Sequence, residues 1–240
     1  MSTAREVQDA LAAVASRDDA RNLQRFFKTG KGQYGAGDVF IGVKVPEIRR
    51  IAQGFARLSP ADLNDLLDSS VHEHRFAALA IMVAQFKAAS TAGDEAERER
   101  LVQFYLSAMR RGRINNWDLV DSSAEYILGE YLVDKPRDQL PRLAKSGVLW
   151  QRRIAIISTF AFIKHGDAST TLEVAEILLP DQHDLIQKAV GWMLREVGKR
   201  VDRDLLVDFI TAHAKVMSRV TLSYATEHFE QSERVYYRSL

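Results

Sequence analysis

Almost every apolar stretch of this chain repeats at helical spacing, and almost every one is closed by a glycine or a proline. A chain built this way has little choice but to fold as a succession of short helices. Val7, Leu11 and Val14 recur three or four residues apart, as do Leu23, Phe26 and Phe27, so the first two helices are expected to join near Asp18. Ser59 and Pro60 open a helix with Leu63, Leu66 and Leu67 along its buried side, and an alanine-rich, mostly apolar helix runs from Val71 to about Ala89. Leu101, Val102, Tyr105, Leu106 and Met109 belong to a helix that ends in the basic cluster Arg110 to Arg113. The next should begin at Asn116 and stop near Asp134, because Pro136 cannot continue it. A short helix over Pro136 to Lys145 and a long one over Trp150 to His165 follow, the second ended by Gly166. Asp167 caps a helix that stops at Pro180, Asp181 or Asp184 starts the one bearing Trp192 and Arg195, and Leu205 to Val216 and Val220 to Phe229 supply two more.

Short and long helices thus alternate at a spacing of about 35 to 40 residues, the period of a helical repeat array. The long members share a basic residue followed by small and branched apolar ones: Arg75-Phe-Ala-Ala, Arg153-Ile-Ala-Ile and Lys188-Ala-Val-Gly. The fold expected is all-α, a HEAT-like helical repeat α-solenoid, curved with a concave basic face, and formed by residues 1–240 as one repeat domain. Its curvature would line the long helices along that face. One segment breaks the pattern. Thr29 to Asp38 packs four glycines into ten residues and leads into the β-branched stretch before Pro46, so a Gly-rich loop over 29–45 is inserted near the N-terminus. Consecutive amides in such a loop suit an anion, but no Gly-Lys-Ser/Thr follows, so it is not a P-loop.

Composition narrows the function. With 33 Lys and Arg against 32 Asp and Glu, the formal charge of +1 argues against charge-driven nucleic-acid binding over the whole surface and leaves a local basic face as the alternative. The absence of cysteine removes thiolate ligands and nucleophiles. His72 and His74, two apart, point to different sides of a helix and make no metal pair. No apolar run approaches the roughly 18 residues of a membrane span, and the start of the chain lacks the apolar core of a signal peptide, so a cytoplasmic location is expected.

The candidate site is Asn115-Asn-Trp-Asp-Leu-Val-Asp121. Asn115 and Asn116 suit a helix N-cap, and the i, i+4 spacing stacks Trp117 over Asp121 on one face. Alone, that heptad also fits a packed aromatic and a solvated carboxylate. Trp150-Gln-Arg-Arg153 and Lys188-Ala-Val-Gly-Trp192-Met-Leu-Arg195 repeat the pairing of tryptophan with base.

At Asn116-Trp-Asp-Leu-Val-Asp121, Trp150-Gln-Arg-Arg153 and Ile186-Gln-Lys-Ala-Val-Gly-Trp-Met-Leu-Arg-Glu196, the chain resembles the AlkD family of HEAT-like DNA alkylation-repair glycosylases. The resemblance runs from about Leu23 to Tyr224. It implies an enzyme of base excision repair that excises cationic N3- and N7-alkylated purines from duplex DNA without drawing the base into a pocket. It also implies a catalytic Asp121, flanking Trp117 and Trp192, and an active-site Arg153, with no metal and no organic cofactor. Lys44, Arg113, Arg152, Lys188, Arg195 and Lys199 are the expected DNA-binding residues, and double-stranded DNA bound by a monomer is the expected partnership. Phe26 or Phe27 stands where family members carry Tyr, Lys44-Val45 replaces Gln-Thr before the proline, and the Gly-rich segment is longer. The competing reading is a non-catalytic α-solenoid scaffold that binds DNA or protein, since repeat arrays commonly serve as binding surfaces. A phosphate-processing enzyme built on the Gly-rich loop lacks the Lys-Ser/Thr or acidic metal cluster it would need.

Overall fold

A computed structural model describes residues 2–239. Every regular element among them is a helix, with one isolated parallel bridge between Val39 and Val71. The contacts gather into two compact units, one ending at Ser123 and the other starting at Ala124.

The first unit comprises α1 (Ala4–Ala12), α2 (Arg17–Phe26), α3 (Val45–Gln53), α4 (Pro60–Asp68), α5 (His72–Ala92), α6 (Glu95–Arg110) and α7 (Trp117–Asp121). Its axis is α5, which packs against α1, α3, α4, α6 and α7. That central role follows from its sequence: Phe76, Ala77, Ala78, Leu79, Ile81 and Met82 are all buried, so the helix is apolar nearly all round. The flanking helices are amphipathic and individually capped. Thr3 and Glu6 form a capping box at α1, Ser59 caps α4 with Pro60 at its first position, and Asp94 caps α6.

The second unit begins with a π-helical turn, Glu125–Gly129, followed by α8 (Gln139–Ala144), α9 (Leu149–Ser158), α10 (Phe160–Lys164), α11 (Ser169–Leu178), α12 (Asp184–Arg200), α13 (Arg203–His213), α14 (Arg219–Ala225) and α15 (Gln231–Ser239). Here α12 is the axis, against which α9, α10, α11, α13 and α14 pack. The closest approach is to α14. A Cβ on Gly191 would stand 2.5 Å from both the Thr221 carbonyl oxygen and the Tyr224 Cβ, so the mid-helix glycine lets two backbones touch. Long helices wrapped by shorter ones are what the alternation of the sequence requires.

Three boundaries depart from expectation. The first two helices join at Ala13–Ser16, and Asp18 lies inside the first turn of α2, whose cap is Ser16. No single helix runs from Asn116 to Asp134. Instead α7 stops at Asp121 because the Ser123 hydroxyl donates to the Leu119 carbonyl at 2.6 Å, which loosens the regular ladder there. The Trp150–His165 helix is likewise divided at Thr159, whose hydroxyl donates to Ile156 O at 2.7 Å.

Candidate functional site

In the first unit the site is built around Trp117, the first residue of α7. Asn116 caps that helix by accepting the Trp117 amide at 2.9 Å. The indole is half-buried and stacked on Phe27, with ring centroids 5.2 Å apart and planes 12° apart. Phe27 stacks in turn on Phe40 at 4.9 Å, and Phe40 on the His72 imidazole at 4.5 Å. Phe26 closes the outer edge. It is 63% exposed, and its ring meets Trp117 edge-on at 6.0 Å. Thus residues from α2, the Gly-rich segment and α5 form one aromatic column that ends at the tryptophan.

Beneath the rings lies a buried charge network. His72 Nε2 is 2.8 Å from Asp118 Oδ2, and its Nδ1 is 3.2 Å from Asp38 Oδ2. Asp38 also accepts from Asn116 Nδ2 at 3.2 Å and forms a 2.6 Å ion pair with the Arg75 guanidinium. Burial works against both ionised forms. Even so, the hydrogen bonds that His72 donates to Asp118 and Asp38 hold its pKa above its ordinary value, and the bond from His72, with the charge of Arg75, holds Asp38 below its own. Asp118, in the first turn of α7 where the helix dipole favours a negative charge, is a buried partner of the histidine.

The Gly-rich segment serves this arrangement. Its early amides are spent on local turns, such as Gln33 N–H to Gly30 O and Ala36 N–H to Gln33 O. An anion cradle does form just beyond, from the amides of Ile41, Gly42 and Val43, but its occupant is the buried Glu73 carboxylate at 2.8–3.2 Å. Gly42 is required there, because its φ is +85° and a Cβ would lie 2.0 Å from the Ser16 carbonyl oxygen. The loop is therefore a brace for α5, already filled by the protein's own anion.

Asp121 stands one helical turn after Trp117 and is half-buried. Burial pushes the neighbouring Tyr105 phenol above its ordinary range. A hydrogen bond with Ser123 at 3.1 Å partly offsets that rise, and the negative charge of Asp121 adds to it.

In the second unit Trp192 lies mid-way along α12, half-buried, with its ring 6.0 Å from Phe160. Lys164 and Arg200 lie over Phe160 at 4.8 and 5.3 Å from the centroid, and Lys164 also pairs with the buried Glu125. Arg153 is buried, with its guanidinium donating to the Leu185 carbonyl at the start of α12. Arg152 pairs with Asp181 at 2.6 Å, Lys188 with Asp184 at 3.0 Å, and Arg195 with Glu196 at 3.0 Å and with Glu227. Arg195 and Lys199 share a cavity of about 260 Å³ with Arg203, His228 and Phe229. In the first unit, Arg113 pairs with Asp68 at 2.7 Å and Lys44 with Asp19 at 3.7 Å. Most of the expected DNA-binding cations are therefore held by carboxylates of this chain.

A family model described as DNA alkylation repair enzyme matches residues 7–229, which is most of the sequence. The chain belongs to this DNA alkylation repair enzyme family. A solved structure, described as a predicted DNA alkylation repair enzyme from Enterococcus faecalis, shares the fold with a TM-score of 0.65, covering 90% of this chain and 97% of its own at 15% identity. No curated protein matches the sequence. Family membership gives the chain a role in alkylation repair and makes DNA its substrate.

Sequence spacing singles out Trp117, Asp121, Arg153 and Trp192 as candidates but gives no sign of what holds Trp117 in place. Asp38 and Phe40 are neighbours in the Gly-rich segment, but both lie 32 or more residues from His72 and farther still from Asp118, and no spacing rule links them. Among the described residues no group of three His, Cys, Asp or Glu is arranged to hold a metal ion. In the buried cluster around His72 both ring nitrogens are turned to carboxylates, which leaves none for a cation. No helix among the described residues is long and apolar enough to cross a membrane.

Proposed function

We propose that this member of the family is a DNA glycosylase that excises cationic N3- and N7-alkylated purines from duplex DNA. The observation that carries the reading is α7 itself: five residues that begin with a half-buried tryptophan braced on Phe27 and end with a half-buried carboxylate on the same face. Alkylation at N7 or N3 makes the base a cation and a good leaving group, so no proton need be delivered to it. What the reaction needs is stabilisation of the oxocarbenium-like sugar as the glycosidic bond stretches. The Asp121 carboxylate supplies negative charge for that, and can orient the water that adds to the sugar. Trp117 and Trp192 offer electron-rich faces to the cationic base or sugar edge, each worth on the order of 0.5 to 2 kcal/mol. Arg153, buried against α12, is read as the active-site arginine, and Lys44, Arg113, Arg152, Lys188, Arg195 and Lys199 as phosphate contacts, all but Lys199 trading an internal carboxylate for the DNA backbone.

The test is single-turnover release of N7-methylguanine from a duplex by purified protein, read as abasic-site formation. Asp121→Asn should bind DNA as wild type does and excise on the order of 10²-fold more slowly or worse, the size of losing one preorganised electrostatic group. Equal rates would remove Asp121 from the mechanism. Wild-type protein that binds the alkylated duplex but releases no base would be the non-catalytic scaffold.

A further inference from the structure

The buried imidazole of His72 has no place in the reaction as described, yet every contact it makes leads to α7. A neutral imidazole carries one N–H, whereas both His72 nitrogens face carboxylate oxygens, at 2.8 and 3.2 Å. With both carboxylates ionised, both contacts are hydrogen bonds only if the ring is an imidazolium. Charge counting agrees. The cluster contains two carboxylates, Asp38 and Asp118, and one guanidinium, Arg75, so a protonated His72 makes it neutral. Neutrality matters because water is nearly excluded: His72, Asp38, Arg75 and Asp118 are 2, 5, 4 and 8% exposed. Glu73, the single acidic residue of α5, is occupied by the amides of Ile41, Gly42 and Val43.

Two independent routes join this cation to the candidate site. Through hydrogen bonds, His72 holds Asp118, the residue next to Trp117, and Asp38, which also receives Asn116, the cap of α7. Through stacking, His72 lies on Phe40, tilts against Phe27 at 5.1 Å, and Phe27 carries Trp117. We propose that His72 is a positioning residue for base excision, acting as a buried imidazolium clamp between Asp38 and Asp118 that fixes the first turn of α7 and with it Trp117 and Asp121. This rests on the glycosylase reading above. Loss of the proton leaves a net negative charge in the cluster and one carboxylate facing a ring lone pair, so the start of α7 is released. The groups facing the ring are Asp38 from the Gly-rich segment, Asp118 from α7 and Arg75 from its own helix. Burial and Arg75 push its proton affinity down and the two carboxylates more than restore it, so the clamp persists above pH 6.5 and opens only at higher pH.

The experiment compares single-turnover excision of N7-methylguanine across pH 6 to 9.5 by wild type, His72→Gln, and His72→Gln combined with Asp118→Asn. All are assayed at a temperature where circular dichroism shows each folded. The double variant replaces an ion pair by a neutral amide pair of similar shape. Rates are read as wild type over double variant, which cancels any titration of the lesion. That ratio should fall about tenfold on the alkaline side, since small misplacements of reacting groups have effects of that order or larger. His72→Gln alone should be slow at every pH, with DNA affinity unchanged. A ratio constant with pH, or a His72→Gln rate equal to wild type, overturns the proposal. A merely structural histidine would change melting temperature without putting a pH step into the rate of folded protein. A readout without catalysis separates this from failure of the glycosylase reading: ¹⁵N shifts of the His72 ring, and Trp117 fluorescence in a Trp150→Phe, Trp192→Phe background, should titrate together above pH 6.5. If base release is absent but this joint titration is present, only the activity is lost. A His72 ring neutral at pH 6.5 overturns the clamp whatever the activity.

Discussion

In the unit that ends at Ser123, Trp117 rests on rings and charges contributed from positions 27, 38, 40, 72 and 118; in the unit that begins at Ala124, Trp192 sits mid-helix between Gly191 and Met193, on a helix pressed against α14. The first arrangement is electrostatic and depends on the protonation of one buried residue. The second is steric, fixed by backbone contact at a glycine, and pairs such as Arg137–Asp167 and Lys188–Asp184 in that unit are partly exposed. Two tryptophans read alike from sequence should therefore respond to different perturbations.

The contrast is tested most severely at Asp38. Asp38→Ala leaves His72 and Arg75 buried without their shared carboxylate, and breaking a buried pair in this way costs about 3–5 kcal/mol. Urea denaturation should show that loss, whereas Asp68→Ala, which removes the half-exposed partner of Arg113, should cost about 1 kcal/mol or less. Similar costs would mean that the cluster is better solvated than its burial implies.

For the second unit the matching perturbation is Gly191→Ala. The added methyl meets the Thr221 carbonyl and Tyr224 Cβ at 2.5 Å, and forcing it in should cost about 1–3 kcal/mol, offset in part by the better helix propensity of alanine. The penalty should be independent of pH between 6 and 9. A neutral or stabilising effect in thermal melts would show that α12 and α14 can move apart without loss.

A gentler probe is pH itself, with hydrogen exchange as the measurement. His72 has a raised pKa, so its contribution to stability is fully present below its ordinary value of 6.5 and is lost as pH rises through the raised one. Asp38 is shifted the other way, so its contribution is present above its ordinary 3.8 and is lost on acidification. In the second unit, Asp167 is held at about 2 by hydrogen bonds from Ser169 and by Arg137, despite its partial burial, and loses its contribution only in acid. Once exchange is corrected for its intrinsic pH dependence, protection of the Ile41, Gly42 and Val43 amides should weaken between pH 7 and 9.5, while that of Ser169 should not. Equal weakening in both places would dissolve the distinction between the units.

The helices were legible because each carries its own period and its own stop, as Ser59-Pro60 and Gly166 illustrate. Where the reading failed, at Ser123 and Thr159, a hydroxyl took a carbonyl within three or four residues, and a serine or threonine inside an apolar run gives no sign of which choice it will make. Trp117 and Asp121 were legible because i, i+4 is a local relation. The clamp that holds them was not, since Asp38 and His72 come together only through tertiary packing, and Asp118 has the same place in the sequence whether it faces solvent or a buried imidazole. Glu73 teaches the same point: a Gly-rich segment advertises an anion site but not whether the protein has already supplied the anion.

The smallest effect concerns Lys188, where two roles make opposite demands on one side chain. Its pair with Asp184 spans one turn of α12 and is about half exposed on both sides, so as a structural contact it is worth roughly 0.3–0.5 kcal/mol. Lys188→Gln should therefore leave the denaturation midpoint almost unchanged. As a phosphate contact the same lysine must release Asp184, and its loss should make the dependence of log affinity on log salt shallower by about one unit. Lys199, exposed on the same helix and with no carboxylate within 4.0 Å among the described residues, provides the control, because Lys199→Gln should reduce the slope equally without a competing partner. If Lys199→Gln lowers the slope and Lys188→Gln does not, then Lys188 keeps Asp184 in the complex, and the cations that meet DNA are those the protein has left unpaired.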